Sequence, residues 1–388
     1  MIVTRVKLKN WRNFKDADAR LREVTYVLGA NATGKSNFLE VFRFLRDVVK
    51  PRGGSLQSAV LDRGGLAKLR CLHARRHPEV AIEIELSETQ ESPGPLWIYH
   101  LAFKSEGRGA NRPIIVKEEV VKIVGAKRLK LVDRPNDADR TDHERLTQTF
   151  LEQVSENKDF RDIVGFFASL TYLHLVPQLI KYGEFIGGRQ LENDPFGQAF
   201  LERVAGLPEK TRSSRLKRIE QALKKAIPQF ENLEFKKDEA GHPHLEARYS
   251  HHRPHAGLQR EDQFSDGTLR LIALFWLLMD GDGLLLLEEP ELSLDEHIIQ
   301  QLPRLIDRVS KSSKRKRRQI VITTHSQALL DNKAIDGFGV LRLERAEEGT
   351  RIVAPSVEEV ALLQGGLSVA DVLLPKVHPK NVDQLALL

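Results

Sequence analysis

The stretch GANATGKSN, Gly29 to Asn37, constrains this chain more than any other. It carries the pattern G-x-x-x-x-G-K-S. The apolar run VTYVL (Val24 to Leu28) precedes it, and Phe38, Val41, Phe42 and Leu45 follow on one helical face. Strand, glycine-bearing turn and helix in that order predict a loop that cradles phosphate. Gly29 and Gly34 let the backbone turn tightly, so that successive N–H groups point inward. The helix that follows adds its positive N-terminal end. Asn31 lies within the loop and Asn37 closes it. Lys35 supplies a point charge for β and γ phosphates, and Ser36 a hydroxyl for Mg²⁺. The expected ligand is a nucleoside triphosphate.

Three later segments extend this reading. FSDGT, Phe264 to Thr268, opens an apolar helix. LLLLEEPELSLD, Leu284 to Asp295, is a buried strand with Glu288 and Glu289 at its end. An acid there can hold Mg²⁺ through oxygen, and a second can polarise a water. QIVITTHS then ends another apolar strand on His325, placed to hydrogen-bond a γ-phosphate or the attacking water. Each piece alone is ordinary, since Ser-Asp-Gly is commonly a cap and Glu-Glu-Pro a strand exit. Their order carries the weight.

That order resembles the head of ABC-type ATPases, and within them the RecF/SMC/OLD-like group of AAA family ATPases. GANATGKS matches the Walker A motif, and FSDGT the signature, with Ser265 and Gly267 in its key places. LLLLEEPE matches Walker B plus the catalytic glutamate, Glu289. Leu294 and Asp295 fall where the D-loop ends, and TTHS supplies the switch histidine, His325. The opening VKLKNWRNFKDAD is similar to the N-terminal motif of the group, which implies that Arg12 approaches the nucleotide. The resemblance implies ATP and Mg²⁺ as cofactors, with Ser36 and Glu288 at the metal. It also implies two heads facing head to tail, so that Ser265 and Gly267 of one copy meet the γ-phosphate on the other. Glu288 departs from the Asp of transporters, and Gln57 and Gln90 are Q-loop candidates by position only.

The resulting expectation is an α/β fold: a P-loop NTPase of the ABC-head type with an antiparallel β subdomain and a mostly helical insertion. Residues 1–133 form the first lobe, 134–250 the insertion and 251–388 the second lobe. Residues 2–21 read as a hairpin. Strands are expected at Val80–Leu86, Leu96–Lys104, Ile114–Val124 and Arg128–Val132. Helices are expected near 143–154, 158–169, 193–204 and 210–227, followed by strands at 232–236 and 244–248 that return to the core. Helix 265–280, strand 284–288, helix 295–310, strand 319–323 and a helix from 326 complete the pattern.

Net charge is +6 with an isoelectric point near 9.2, which permits nucleic-acid binding without requiring it. Cations concentrate in KSSKRKRR (311–318) and on the 210–227 helix, each read first as a solvated face and second as a DNA contact or, for the helix, a partner surface. A single cysteine, Cys71, excludes an internal disulfide and a cysteine-built zinc site. No apolar run approaches membrane-span length and no signal peptide is visible, so a cytoplasmic protein without a membrane partner is expected. His242, His244, His251, His252 and His255 cluster before the signature, more simply a polar loop than a metal site. Heptads are missing, which favours a compact lid over a long coiled-coil arm. No appended TOPRIM nuclease is expected from the stretch that follows His325. The expected function is therefore an ATP-driven switch, a homodimer or higher homo-oligomer, in DNA repair or anti-phage defence, with DNA and a separate nuclease or toxin effector as the candidate partners. A transporter ATPase subunit and an ATP-binding scaffold that sequesters a partner are the alternatives.

Overall fold

A computed structural model describes residues 1–74, 78–107, 112–186, 194–250, 257–312 and 318–377. Its strands are β1 (Ile2–Trp11), β2 (Phe14–Arg20), β3 (Val24–Gly29), β4 (Val80–Ser87), β5 (Trp97–Ser105), β6 (Pro113–Val124), β7 (Lys127–Arg134) and β8 (Thr171–Leu173). They continue with β9 (Phe230–Lys237), β10 (Pro243–Tyr249), β11 (Leu258–Arg260), β12 (Leu285–Glu288), β13 (Ile320–Thr324), β14 (Val340–Ala346) and β15 (Gly349–Val353). Twelve of them form one sheet in the order β7-β6-β5-β4-β1-β2-β15-β14-β3-β13-β12-β8.

The sheet has two characters. From β14 through β3, β13 and β12 to β8 the strands run parallel. The rest pair antiparallel. The parallel strands are apolar on both faces, as helix-covered strands must be. Alternation sorts their side chains into two cores. Val27, Leu286, Val321 and Leu341 pack with Trp11, Phe38 and Phe42. Tyr26, Leu28, Leu285, Leu287, Ile320 and Ile322 pack with Leu269 and Trp276 on the other side. The helix Lys35–Val49 thus covers one face, and the helix Asp266–Leu278 the other. In-register pairing sets Glu288 beside Thr323, and Thr323 beside Val27. Three strand ends therefore open on one crevice, where ligands of open α/β sheets bind.

The N-terminal hairpin and the antiparallel block stand where the sequence reading put them. The helix expected over 143–154 does not form; a short 3₁₀ turn, His143–Thr147, stands there instead. Buried side chains take over its backbone bonding. Arg134 donates to the carbonyls of Arg145 at 2.7 Å and Gln148 at 2.8 Å. Glu118 accepts the N–H groups of Phe150 and Leu151. The helix expected over 193–204 is Phe200–Ala205, with residue 193 outside the described residues. The strands read as returning to the core instead pair with each other and β11 in a separate three-stranded sheet. The helix from 326 is only Gln327–Leu330. β8, β14 and β15 complete the main sheet without having been expected. Among the described residues no helix is long and apolar enough to cross a membrane.

Most of the basic run 311–318 lies outside the described residues. Arg318 is described, and it is no phosphate contact. It is buried, and its guanidinium donates to the carbonyls of Gly283 at 2.7 Å, Leu277 at 2.5 Å and Asp280. Burial pulls its pKa down to about 10, against attraction from Asp280 and Asp282.

Candidate nucleotide site

The loop after β3 reaches its helix through Gly34, whose φ of 98° lies in the left-handed region that glycine tolerates. A Cβ there would run into the Asn13 side chain. Asn13 clamps the loop: its Nδ2 donates to the Thr33 carbonyl at 2.8 Å and to Thr350 Oγ1 at 2.7 Å, and its Oδ1 accepts from Asn37 Nδ2 at 2.8 Å. Trp11 Nε1 donates to the Asn37 carbonyl at 2.9 Å. Asn31 stands exposed at the tip. Arg12 turns elsewhere: its N–H meets the Leu69 carbonyl at 2.6 Å and its guanidinium the Lys68 carbonyl at 3.2 Å. Burial lowers the Arg12 pKa against attraction from Glu40.

Lys35 is buried, donates to the Gly29 carbonyl at 2.9 Å and stands 3.8 Å from Glu289 Oε1. The same carboxylate oxygen lies 3.0 Å from His325 Nδ1. Ser36 Oγ donates to Glu288 Oε1. The other oxygen, Oε2, accepts from the Tyr172 hydroxyl at 2.5 Å. Burial, reinforced by Glu288, holds that phenol well above its ordinary pKa, so it stays a donor. The Arg43 guanidinium lies 4.2 Å from the centre of the Tyr172 ring.

Glu289 adopts φ 45°, in the left-handed region and strained for a residue with a Cβ. Its N–H is held by the Thr323 carbonyl at 3.1 Å and Thr323 Oγ1 at 3.3 Å. Those contacts fix the backbone at the strand end, and Glu289 Oε1 faces Lys35 and His325. Glu291, the next acid of the EEPE run, is buried, with Oε1 bonded to Thr324 Oγ1 at 2.5 Å. Burial raises its pKa, opposed by the Thr324 bond.

The signature and D-loop residues are occupied within their own segments. Ser265 caps its helix, its Oγ 2.8 Å from Thr268 Oγ1 and accepting the Thr268 N–H at 3.1 Å. A Cβ on Gly267 would approach the Ser293 carbonyl to 2.7 Å, so signature and D-loop pack directly together. Asp266 is held by Gln178 and Lys181, each at 2.7 Å. Asp295 is exposed and accepts the His297 N–H at 2.9 Å. None of Ser265, Gly267 and Asp295 bonds to Lys35, Ser36, Glu288 or Glu289 among the described residues.

Several sequence candidates lie away from the crevice. Gln57 holds the carbonyls of Pro113 and Thr147, each at 2.8 Å. Gln90 sits in the turn after β4. His242 and His244 pair with carboxylates, His244 Nδ1 lying 2.7 Å from Glu261 Oε1. His251, His252 and His255 lie outside the described residues. Among the described residues no three His, Cys, Asp or Glu side chains converge as a metal site.

The crevice fits a phosphate ester with Mg²⁺. Lys35 offers the cation, and the Gly34 backbone leaves no Cβ in the turn. Ser36 and Glu288 offer hard oxygens, and two protein ligands suffice for an ion that keeps waters and phosphate oxygens.

The family model AAA_21, described as "AAA domain, putative AbiEii toxin, Type IV TA system", matches residues 24–331. The chain belongs to this family. The match runs from β3 past the phosphate loop and Ser265 to Glu289 and His325. Among solved structures, the AAA_21 chain is similar to an SMC head bound to the C-winged helix domain of ScpA. The TM-score is 0.52 at 13% identity, over 92% of this chain and 99% of that one. The SMC head domain from Thermotoga maritima gives 0.47 at 14%, covering 92% and 100%. A Pyrococcus furiosus Smc head with an extended coiled coil, bound to the C-terminal domain of ScpA, gives 0.49 at 12%, covering 94% and 98%. At these identities the likeness is one of fold. Comparison with curated proteins gives no match. The protein is an AAA-type ATPase of ABC-like architecture, related in fold to SMC heads.

Proposed function

We propose that this chain binds ATP with Mg²⁺, hydrolyses it, and uses ATP-dependent pairing of two heads as a switch on DNA or on a separate effector protein. The observation that carries the reading is the convergence of two linked sets on one crevice: Ser36 with Glu288, and Lys35 with Glu289 and His325.

Bound Mg²⁺ would neutralise phosphate charge at Ser36 and Glu288. Lys35 exchanges its internal acceptor, the Gly29 carbonyl, for phosphate oxygen. Glu289 is the base candidate: its strained backbone aims the carboxylate into the crevice, and His325 fixes its orientation. Gly29, Asn31, Gly34 and Asn37 shape the loop, while Arg12 bonds elsewhere, to Leu69 and Lys68.

Ser265, Gly267 and Asp295 have no bond to the site in their own head. The sheet separates the signature helix from the phosphate-loop helix. A second copy would supply them, which makes the nucleotide the selector of a paired state. In this reading 1–133 and 251–388 are the two ATPase lobes, 134–250 is the lid except for β8 and the residues that pack with it in the main sheet, and the switch works in the cytoplasm in DNA repair or antiviral defence.

The test is ATPase activity of wild type and Glu289→Gln, with and without DNA, alongside sedimentation with ATP. Wild type should turn over ATP, and Glu289→Gln should lose about 10²–10⁴-fold while accumulating as an ATP-bound dimer. An unchanged rate, or no nucleotide-dependent dimer, defeats the reading. Turnover indifferent to DNA removes the DNA arm and leaves the effector arm.

A further inference from the structure

A large open cavity lies apart from the nucleotide crevice. It is a groove of about 1270 Å³ between the helices Glu209–Leu223, Asp266–Leu278 and Glu296–Ser312. Its floor is apolar: Ile219, Phe275, Met279, Ile298 and Leu305 line it. Met279, Ile298 and Leu305 keep part of their surface open to solvent. Along its walls stand Arg218, Lys225, Arg304 and Arg308, all exposed. Neighbouring Lys224 is neutralised by Glu220 at 2.9 Å. The four wall cations have no such partner among the described residues. One acid, Asp295, lines the end, and it is engaged with His297.

We propose that this groove docks an acidic amphipathic helix of a partner protein. An apolar trough lined by helices is the shape that takes a helix about 10–12 Å across, read through anchors at i, i+3, i+4 and i+7. Cations on both walls then select the occupant. A helix with Leu, Ile or Phe on one face and Glu or Asp on its flanks satisfies floor and walls together, whereas a basic helix meets four like charges. Nucleic acid fits less well, because the phosphate backbone has no use for an aliphatic floor and Phe275 is the one aromatic side chain lining it. The groove borders both the signature helix and the helix following the D-loop, so an occupant would touch the elements that the proposed pairing uses. The docking proposal itself stands without any nucleotide chemistry.

The probe is a display library of random 16-residue peptides selected against the full chain without nucleotide. Enriched sequences should be acidic and carry apolar residues at helical spacing. Synthetic copies should bind at least tenfold more weakly to Arg304→Glu/Arg308→Glu, and likewise to the opposite-wall variant Arg218→Glu/Lys225→Glu. Both variants are checked for unchanged thermal midpoint, and either suffices if the other unfolds. Several outcomes overturn the proposal: no enrichment, enrichment of neutral or basic peptides, or binding indifferent to both variants. Loss of self-association in both variants without loss of peptide binding does so too, since a second copy would then own the groove. Failure of the ATPase reading leaves all of these readouts unaffected.

Discussion

The Tyr172 hydroxyl donates to Glu288 Oε2 at 2.5 Å, while Ser36 takes the other oxygen of the same carboxylate. Glu288 is thus held at both ends, one by the phosphate-loop helix and one by the edge strand β8. Glutamate carries one methylene more than the aspartate usual in transporters, and a longer acid needs more restraint to present one fixed oxygen. Tyr172→Phe removes the restraint with little change in volume. The Mg²⁺ concentration for half-maximal ATPase should rise about three- to tenfold, the worth of one charge-assisted hydrogen bond discounted for water taking its place. Nucleotide affinity in EDTA should not move. Weaker use of Mg²⁺ together with weaker nucleotide binding, and a lowered thermal midpoint, would mean that Tyr172 merely supports the sheet.

Asn13 makes three hydrogen bonds around the phosphate loop, to Thr33, Thr350 and Asn37. It occupies the space that any side chain at position 34 would need. Asn13→Ala should weaken ATP binding about tenfold and lower stability by about 1–3 kcal/mol, since the Thr33 carbonyl and Asn37 amide lose partners. Titration with a fluorescent ATP analogue and denaturant unfolding measure the two effects. Retained affinity with the same loss of stability would confine Asn13 to the fold.

The phosphate loop, Glu288, Glu289 and His325 were legible because each motif follows an apolar strand, and parallel strands in register bring their ends together. Asn13 and Tyr172 were not. Asn13 sits in a hairpin turn whose partner loop is distant in sequence. Tyr172 lies on a three-residue strand, Thr171–Leu173, too short to show an alternation and recognisable only beside β12. The expected helix over 143–154 failed for a related reason. Arg134 and Glu118, remote in sequence, capture the carbonyls and amides that a helix would have paired. Periodicity reports local pairing; side chains that replace it are visible only in three dimensions.

Glu152 sits under the antiparallel block, accepting the Leu56 N–H at 2.9 Å and the Thr149 hydroxyl at 2.9 Å. Burial raises its pKa from 4.5 to about 7, with these bonds opposing the shift. The folded state therefore holds this proton more tightly than the unfolded chain. Between about pH 4.5 and 7 the unfolded state binds fewer protons, so stability falls as pH rises through that window. Glu152→Gln keeps an acceptor and removes the charge. It should gain about 1–3 kcal/mol over wild type at pH 8, with the difference shrinking towards pH 4.5. Urea midpoints at several pH values measure this, and a gain of equal size at every pH would assign it to packing instead.

Arg318 ends the basic run 311–318 yet serves the interior, with its guanidinium on three backbone carbonyls. Arg318→Met keeps the volume and leaves the carbonyls of Leu277, Asp280 and Gly283 short of a donor. A loss of about 1–3 kcal/mol is expected, since the Asp280 and Gly283 carbonyls lose this donor while the Leu277 carbonyl keeps the Asp280 N–H at 3.1 Å. DNA affinity per folded molecule should stay unchanged. Lys314→Glu/Lys316→Glu, in the same run, tests the DNA reading instead. If the run touches DNA, this variant should lower affinity and flatten its salt dependence by about two phosphate contacts. Thermal unfolding and filter binding at two salt concentrations separate the pair. Weakened DNA binding with an unshifted unfolding midpoint in Arg318→Met would place this side chain at the surface, against its three carbonyl bonds.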